Sequence, residues 1–371
     1  MTKMKLSPGK MILLGFQHVF AMFGATVLVP TLTGLSVSST LLFAGLGTLL
    51  FHLLTKRKVP AFLGSSFAFL GGYAAVKSLV ENSGTGANWI PYAGVGVACA
   101  GLLYVIVSML FKAFGPNKVM RFFPPVVTGP IIICIGITLA NSAVNNCATN
   151  WWIAILAVAI VVVFNIWGKG MFKIIPILLG VVGSYLVAAL CGQVDFTKVQ
   201  EAAWIGLPFD WKDTTFSLIG NVDGSLLASA IAMMMPIALA TMMEHIGDMC
   251  AISSTVGQNF ISDPGLHRSL LGDGLATALA SIFGAPANTT YGENTGVLAL
   301  TKVYDPRVIR LAACIAVVFS FCPKFAALVS CMPAATIGGV SLILYGMISA
   351  VGVRNVVENQ VDFTKSRNVI I

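Results

Sequence analysis

The sequence predicts an all-α polytopic membrane protein. Three observations carry this. Of 371 residues, 57% are hydrophobic and only 10% are charged, against about 25% charged in an ordinary soluble domain. Mean hydropathy is +0.89. Long apolar runs recur along the chain, and its basic residues fall on alternate sides of them. So few charges exclude a soluble enzyme and a disordered chain. The net charge of +8 does not mark a nucleic-acid binder, because the basic residues follow the membrane layout.

Runs of about 20 apolar residues read as membrane helices. They fall near 11–32, 40–55, 60–80, 91–114, 122–143, 150–167 and 173–192, then 225–250, 267–284, 291–303, 307–330 and 333–352. Two of the twelve are short for full spans. With a cytoplasmic N-terminus, the inside stretches hold Lys3, Lys5, Lys10, Lys56, Arg57, Lys58, Lys112, Lys118, Arg121, Lys169, Lys173, Arg268, Lys302, Arg307, Arg310, Arg354, Lys365 and Arg367. The outside stretches hold Lys77, Lys198, Lys212 and Lys324. A split of 18 to 4 orients the chain by the positive-inside rule. Trp89, Trp151, Trp152 and Trp167 sit at segment ends, as an aromatic belt requires. The first run is too long for a signal peptide. The eight cysteines form no C-x-x-C pair and lie mostly in apolar runs, as small hydrophobes do.

Segment one carries Gln17-His18 and Met22, and segment eight Glu244-His245 and Met249, at an offset of 227. Pro60-Ala61 returns as Pro286-Ala287 at 226, and Pro125-Val126-Val127-Thr128 as Pro333-Ala334-Ala335-Thr336 at 208. Segment eight therefore repeats segment one. Seven segments per repeat is an odd number, so the second copy is inverted, a hallmark of secondary transporters. The expected division is 1–192 for the first repeat, 193–224 for an outer connection, and 225–371 for a second repeat. The second repeat is expected to be incomplete, with two segments missing after residue 371.

Segments three and ten are interrupted. Residues 60–72 read PAFLGSSFAFLGG and residues 286–296 read PANTTYGENTG. Neither makes a good continuous helix. Irregular backbone in a membrane must be buried in protein or line a cavity, and paired interruptions point to a transporter's binding site.

Acids are scarce in the spans. Glu244, Asp248, Asp273 and Glu293 fall in or beside them, where an acid signals function. Glu244 and Asp248 are four apart and share a helix face. Two such carboxylates repel when both are ionised, which makes one a candidate proton carrier. His245 points elsewhere and is expected to be a buried polar packing residue. Asp273 follows Arg268 by five and is expected to form a structural pair or cap. Glu293, within the interruption, is the leading site candidate. Phe67 and Tyr291 stand out among the aromatics because they lie at the breaks.

At these residues the chain resembles the nucleobase–ascorbate transporter family, most of all its bacterial uracil permeases. The carrying stretches are QHVFAMFGATVLVP (17–30), VPAFLGSSFAF (59–69), EHIGD (244–248), DPGLHRS (263–269), NTTYGENTGVLALTK (288–302) and GGVSLILYG (338–346). The family signature matches at Asn294, Gly296, Thr301 and Lys302. The resemblance implies fourteen segments in two inverted sevens, a core and a gate domain, and short extended stretches in segments three and ten that meet near mid-membrane. It implies substrate contacts from Phe67, Glu244, Gly292 and Glu293, with Ala25, Tyr291 and Tyr345 nearby, and a homodimer. Asp248 stands where similar permeases can carry histidine.

The expected activity is proton-coupled uptake of a nucleobase, uracil before xanthine or another purine, across the cytoplasmic membrane. Asp248 and Glu244 are the expected proton-coupling groups, with no cofactor and no metal. Xanthine permeases more often carry Gln at the position of Glu293. An anion transporter of similar architecture is disfavoured by two acids at the site. A channel would need a continuous polar stripe, and a membrane enzyme a catalytic constellation. Neither is present in the pattern.

Overall fold

The computed structural model describes residues 7–115, 124–220 and 222–370, apart from the side chain of Val369. Lys3, Lys5, Lys118 and Arg121, four of the basic residues expected inside, lie outside the described residues.

Helix α1 (Pro8–Thr33) starts on Ser7, whose hydroxyl accepts the Lys10 N–H, and stops at Gly34, whose φ of 82° closes the last turn onto Pro30. Gly at such a position is free of the Cβ penalty. Helix α2 (Val37–Leu54) returns. Strand β1 (Leu63–Ser65) and a turn at Phe67–Phe69 lead into α3 (Leu70–Asn82). The next helices are α4 (Trp89–Phe114), α5 (Pro125–Ala148), α6 (Trp151–Trp167) and α7 (Pro176–Leu190), followed by a short α8 (Thr197–Glu201). Segment eight is α9 (Gly224–Met234) and α10 (Ile237–Val256), broken at Pro236, and it runs further than the expected 250. Then come α11 (Leu266–Ile282), β2 (Asn288–Thr290) and α12 (Gly292–Thr301). The expected single span 307–330 is instead α13 (Pro306–Ser320) and α14 (Pro323–Ser330), bent by 85°. Pro323 explains the break, because it cannot donate to the preceding turn. The chain continues through α15 (Ala334–Glu358) to α16 (Ser366–Ile370). Six of these helices, taking α9 and α10 as one, are long and apolar enough to cross a membrane singly.

Packing obeys the inverted repeat. Helices α4 and α11 pack together, and so do their repeat partners α13 and α2. The matching segments α2 with α11, β1 with β2, and α5 with α15 pack on each other, as a two-fold axis in the membrane plane demands. Glycines bring these backbones close. A Cβ on Gly101 would lie 2.6 Å from the Gly274 carbonyl, and one on Gly45 2.6 Å from that of Ala313. Helices α5, α6, α7 and α15 form a gate unit, and α1–α4 with α9–α13 form the core unit. They meet mainly where α1 passes α7 and where α5 passes α3 and α10.

Candidate functional site

The two interrupted segments meet at the centre of the core unit. β1 and β2 pair antiparallel, Leu63 opposite Thr290, Gly64 opposite Thr289 and Ser65 opposite Asn288. Beyond the strands, the Ser66 N–H donates to the Ala287 carbonyl at 2.8 Å, and the Tyr291 N–H to the Phe62 carbonyl at 3.0 Å. Side chains satisfy the outer edges. Thr48 accepts the Leu63 N–H at 2.9 Å, and Thr277 donates to the Asn288 carbonyl at 2.8 Å. The Asn288 amide donates to the Phe43 carbonyl at 3.0 Å, and Tyr73 accepts the Ala287 N–H at 2.9 Å. This is how extended backbone survives at membrane depth, where an unpaired polar group is costly.

Each strand runs directly into a helical start. Ser66 before the Phe67 turn and Tyr291 before α12 make no side-chain cap. The capping positions therefore leave first-turn amide groups to other acceptors, with the positive ends of the two dipoles; the Glu293 carboxylate takes its own N–H.

The acids gather beside these starts. Glu244 and Gly292 are exposed, and Asp248 and Glu293 are half-buried. All three acids are within coulombic reach of one another. Accessible acids at the packed junction of α10 and α12 mark a crevice between these helices. Among the described residues, a Cβ on Gly292 would meet only Asp248 Oδ1 within 4 Å, at 3.8 Å, so the start of α12 opens toward that acid. An apolar groove of about 490 Å³ between α3 and α5, lined by Ala68, Gly71, Pro130, Cys134 and Ile237, lies beside Phe67. It contains no acid. The acids and the uncapped helix starts are the hydrogen-bonding groups, so the crevice that carries them, rather than this groove, is the candidate site.

Thr290 links strand and acids. Its hydroxyl donates to Asp248 Oδ2 at 2.7 Å and lies 3.4 Å from His245 Nδ1. His245 is buried, as expected, and its Nδ1 is 3.1 Å from Asp273 Oδ2. The partner of Asp273 is thus His245 and not Arg268, whose guanidinium instead donates to the Leu54 carbonyl at 3.3 Å.

Other expected contacts are set further back. Ala25 is buried, and its carbonyl accepts from Ser65 Oγ at 3.3 Å. Tyr291 is buried under β1, with its hydroxyl donating to the Ser65 carbonyl at 2.9 Å and 3.2 Å from Thr26 Oγ1. Tyr345 is buried in α15 and packs in the same apolar cluster as Tyr291, with Phe67 partly buried against it. Sequence reasoning missed Thr290 and Ser65. It also missed the pairing of His18 with Asn294, whose amide nitrogen is 3.1 Å from His18 Nδ1. The matched histidines of the repeat, His18 and His245, each reach toward the second interrupted segment and were the available signal.

The profile of Xan_ur_permease, a permease family, matches residues 9–371. The uracil permease of Bacillus caldolyticus is 43% identical over 374 residues, which cover 98% of this chain and 83% of that protein. The uracil permease of Escherichia coli K12 is 37% identical over 375 residues, 96% of this chain and 81% of that protein. The putative pyrimidine permease RutG of the same strain is 38% identical, covering 96% and 80%. Among solved structures, the transmembrane domain of the cyanobacterium bicarbonate transporter BicA superposes with a TM-score of 0.69 at 15% identity. It covers 94% of this chain and 95% of that one. At that identity the likeness concerns the fold.

Proposed function

The chain belongs to the Xan_ur_permease family of permeases, and from that membership we propose that it takes up uracil in symport with protons. The observation that carries the reading is the convergence of Glu244, Glu293 and two uncapped half-helix starts on one crevice. Uracil offers two N–H donors and two carbonyl acceptors. Glu244 and Glu293 accept the N–H groups, and the amides near Phe67 and Gly292 donate to the carbonyls. A site built this way rejects an analogue lacking one N–H, because a buried acceptor is then left unpaired. The half-buried Phe67 ring lies against the base, while Ala25, Tyr291 and Tyr345 support the crevice wall.

Asp248 and Glu244 carry the coupling proton in this reading, with no other cofactor. The 18-to-4 distribution of basic residues supports a cytoplasmic N-terminus in the cell membrane and residues 193–224 on the outer face. The protein works as a homodimer. Xanthine is the second reading, disfavoured by Glu293. Competition uptake with uracil, xanthine and bicarbonate tests the assignment: uracil alone should displace labelled uracil, and displacement by xanthine at equal concentration would transfer it to the purines.

A further inference from the structure

We propose that residues 203–207, with α14, form an interfacial anchor that seats Trp204, Ile205 and Leu207 among the lipid headgroups and upper acyl chains. The anchor lies on the membrane face opposite the start of α1. Trp204 is 72%, Ile205 84% and Leu207 80% exposed, so the protein itself leaves these three large apolar side chains uncovered.

The backbone beneath them is held on both sides. The Gly206 N–H donates to the Phe321 carbonyl at 3.1 Å, and the Lys324 N–H to the Ala203 carbonyl at 3.0 Å. A Cβ on Gly206 would lie 2.6 Å from Pro323, so glycine permits this close seat. Ser39 Oγ also donates to the Pro208 carbonyl at 2.8 Å. A segment so fixed presents these side chains outward, uncovered by the described residues.

The position identifies the cover. The segment is bonded to the corner between α13 and α14. Helices α13 and α14 are long and apolar enough to span only when taken together, and they are bent by 85° at Phe321–Cys322; with α13 read as the membrane-crossing part, α14 turns close to the membrane plane at the level where that part ends. Aromatic side chains flanked by lysines are suited to that level, with the ring in the apolar boundary and the ammonium reaching the phosphates. Lys324 Nζ lies 4.8 Å from the Trp204 ring centroid. Lys198 and Lys324 flank the segment, while Lys212 is paired with Asp210 at 3.0 Å; residues 202–209 themselves contain no acid.

Fluorescence of the purified protein in phosphatidylcholine liposomes tests the anchor. The difference in emission between the natural protein and Trp204→Phe isolates Trp204. Most of that emission should be lost when the lipid is brominated near the headgroup, less when it is brominated near the chain ends, and none to aqueous iodide. Ile205→Trp in the Trp204→Phe background should give the same pattern. Quenching by iodide with no effect of brominated lipid would place the segment in water. Resistance to both quenchers would place it against protein, such as a second copy. Either result overturns the anchor.

Discussion

Thr290 donates its hydroxyl to Asp248 at 2.7 Å, so the strand of the second interrupted segment is tied to the acid one turn beyond Glu244. The same hydroxyl is 3.4 Å from His245, which is itself paired with buried Asp273. The site is therefore a chain of polar groups leading from the crevice into the core. A change at Thr290 should be felt at Asp248 without touching Glu244 and Glu293, the acids proposed to hold the base.

Thr290→Val should alter the pH profile of uracil uptake while changing equilibrium uracil binding less. Val keeps the shape but removes the donor, leaving Asp248 one hydrogen bond short. Thr290→Ser, which retains the hydroxyl, should restore the profile. Identical pH profiles for Val and Thr would disconnect Thr290 from coupling.

Asp248→Asn should flatten the pH dependence of uptake more than it weakens binding. Asn keeps a partner for Thr290 but cannot take up a proton. Uptake measured across the pH range, beside uracil binding at one pH, separates the two effects. An unchanged profile would leave Asp248 a structural residue.

Gly64→Ala should lower thermal stability by about 1–3 kcal/mol, the usual cost of overpacking. Its Cβ would fall 2.5 Å from the Tyr291 ring, and that ring is fixed by hydroxyl contacts to Ser65 and Thr26. Tyr291→Phe should cost about 0.5–1.5 kcal/mol for each hydrogen bond lost. Thermal unfolding in detergent, followed by near-ultraviolet circular dichroism, reads both. No loss in Gly64→Ala would mean that β1 and Tyr291 are not packed as described.

Asp263 should contribute salt-sensitive stability at neutral pH. A hydrogen bond and ion pair from Lys58, 2.5 Å away in the loop between α2 and β1, holds its carboxyl below the usual carboxylate range. A depressed folded-state value means that the contribution is fully present above the unfolded-state pKa, about 3.9. It is lost as pH falls through the folded value. The difference in unfolding temperature between the natural protein and Asp263→Asn should thus be largest near neutrality. It should shrink in acid and in high salt. A difference that grows in acid would contradict the pairing.

The spans, the repeat and the two interruptions were legible because apolar run length and Pro–Gly punctuation are local signals. Pro60 and Pro286 put the two interruptions at matching positions of the repeat, and the family resemblance added that they carry short extended stretches that meet. The strand register was not legible, because three-residue strands carry no period. Nor was the partner of Asp273. Arg268 is near it in sequence, but His245 reaches it across a helix interface, and only packing decides between them. The 85° bend after α13 was available in Pro323 and was hidden by the unbroken apolar character of residues 307–330. Tyr291 was legible as a residue at the break. The inward turn of its hydroxyl onto Ser65 follows from the strand pairing alone.

Equilibrium binding of uracil to purified Glu293→Gln and Glu244→Gln is the most direct test of the crevice as the substrate site. Glutamine keeps the size but replaces half the acceptor capacity with a donor that faces the N–H of the base. Loss of a charge-assisted hydrogen bond costs about 1.5–3 kcal/mol, roughly ten- to a hundredfold in affinity. Both variants should weaken binding by that order, Glu293→Gln the more severely. Near-natural affinity in both would place uracil elsewhere and contradict the account.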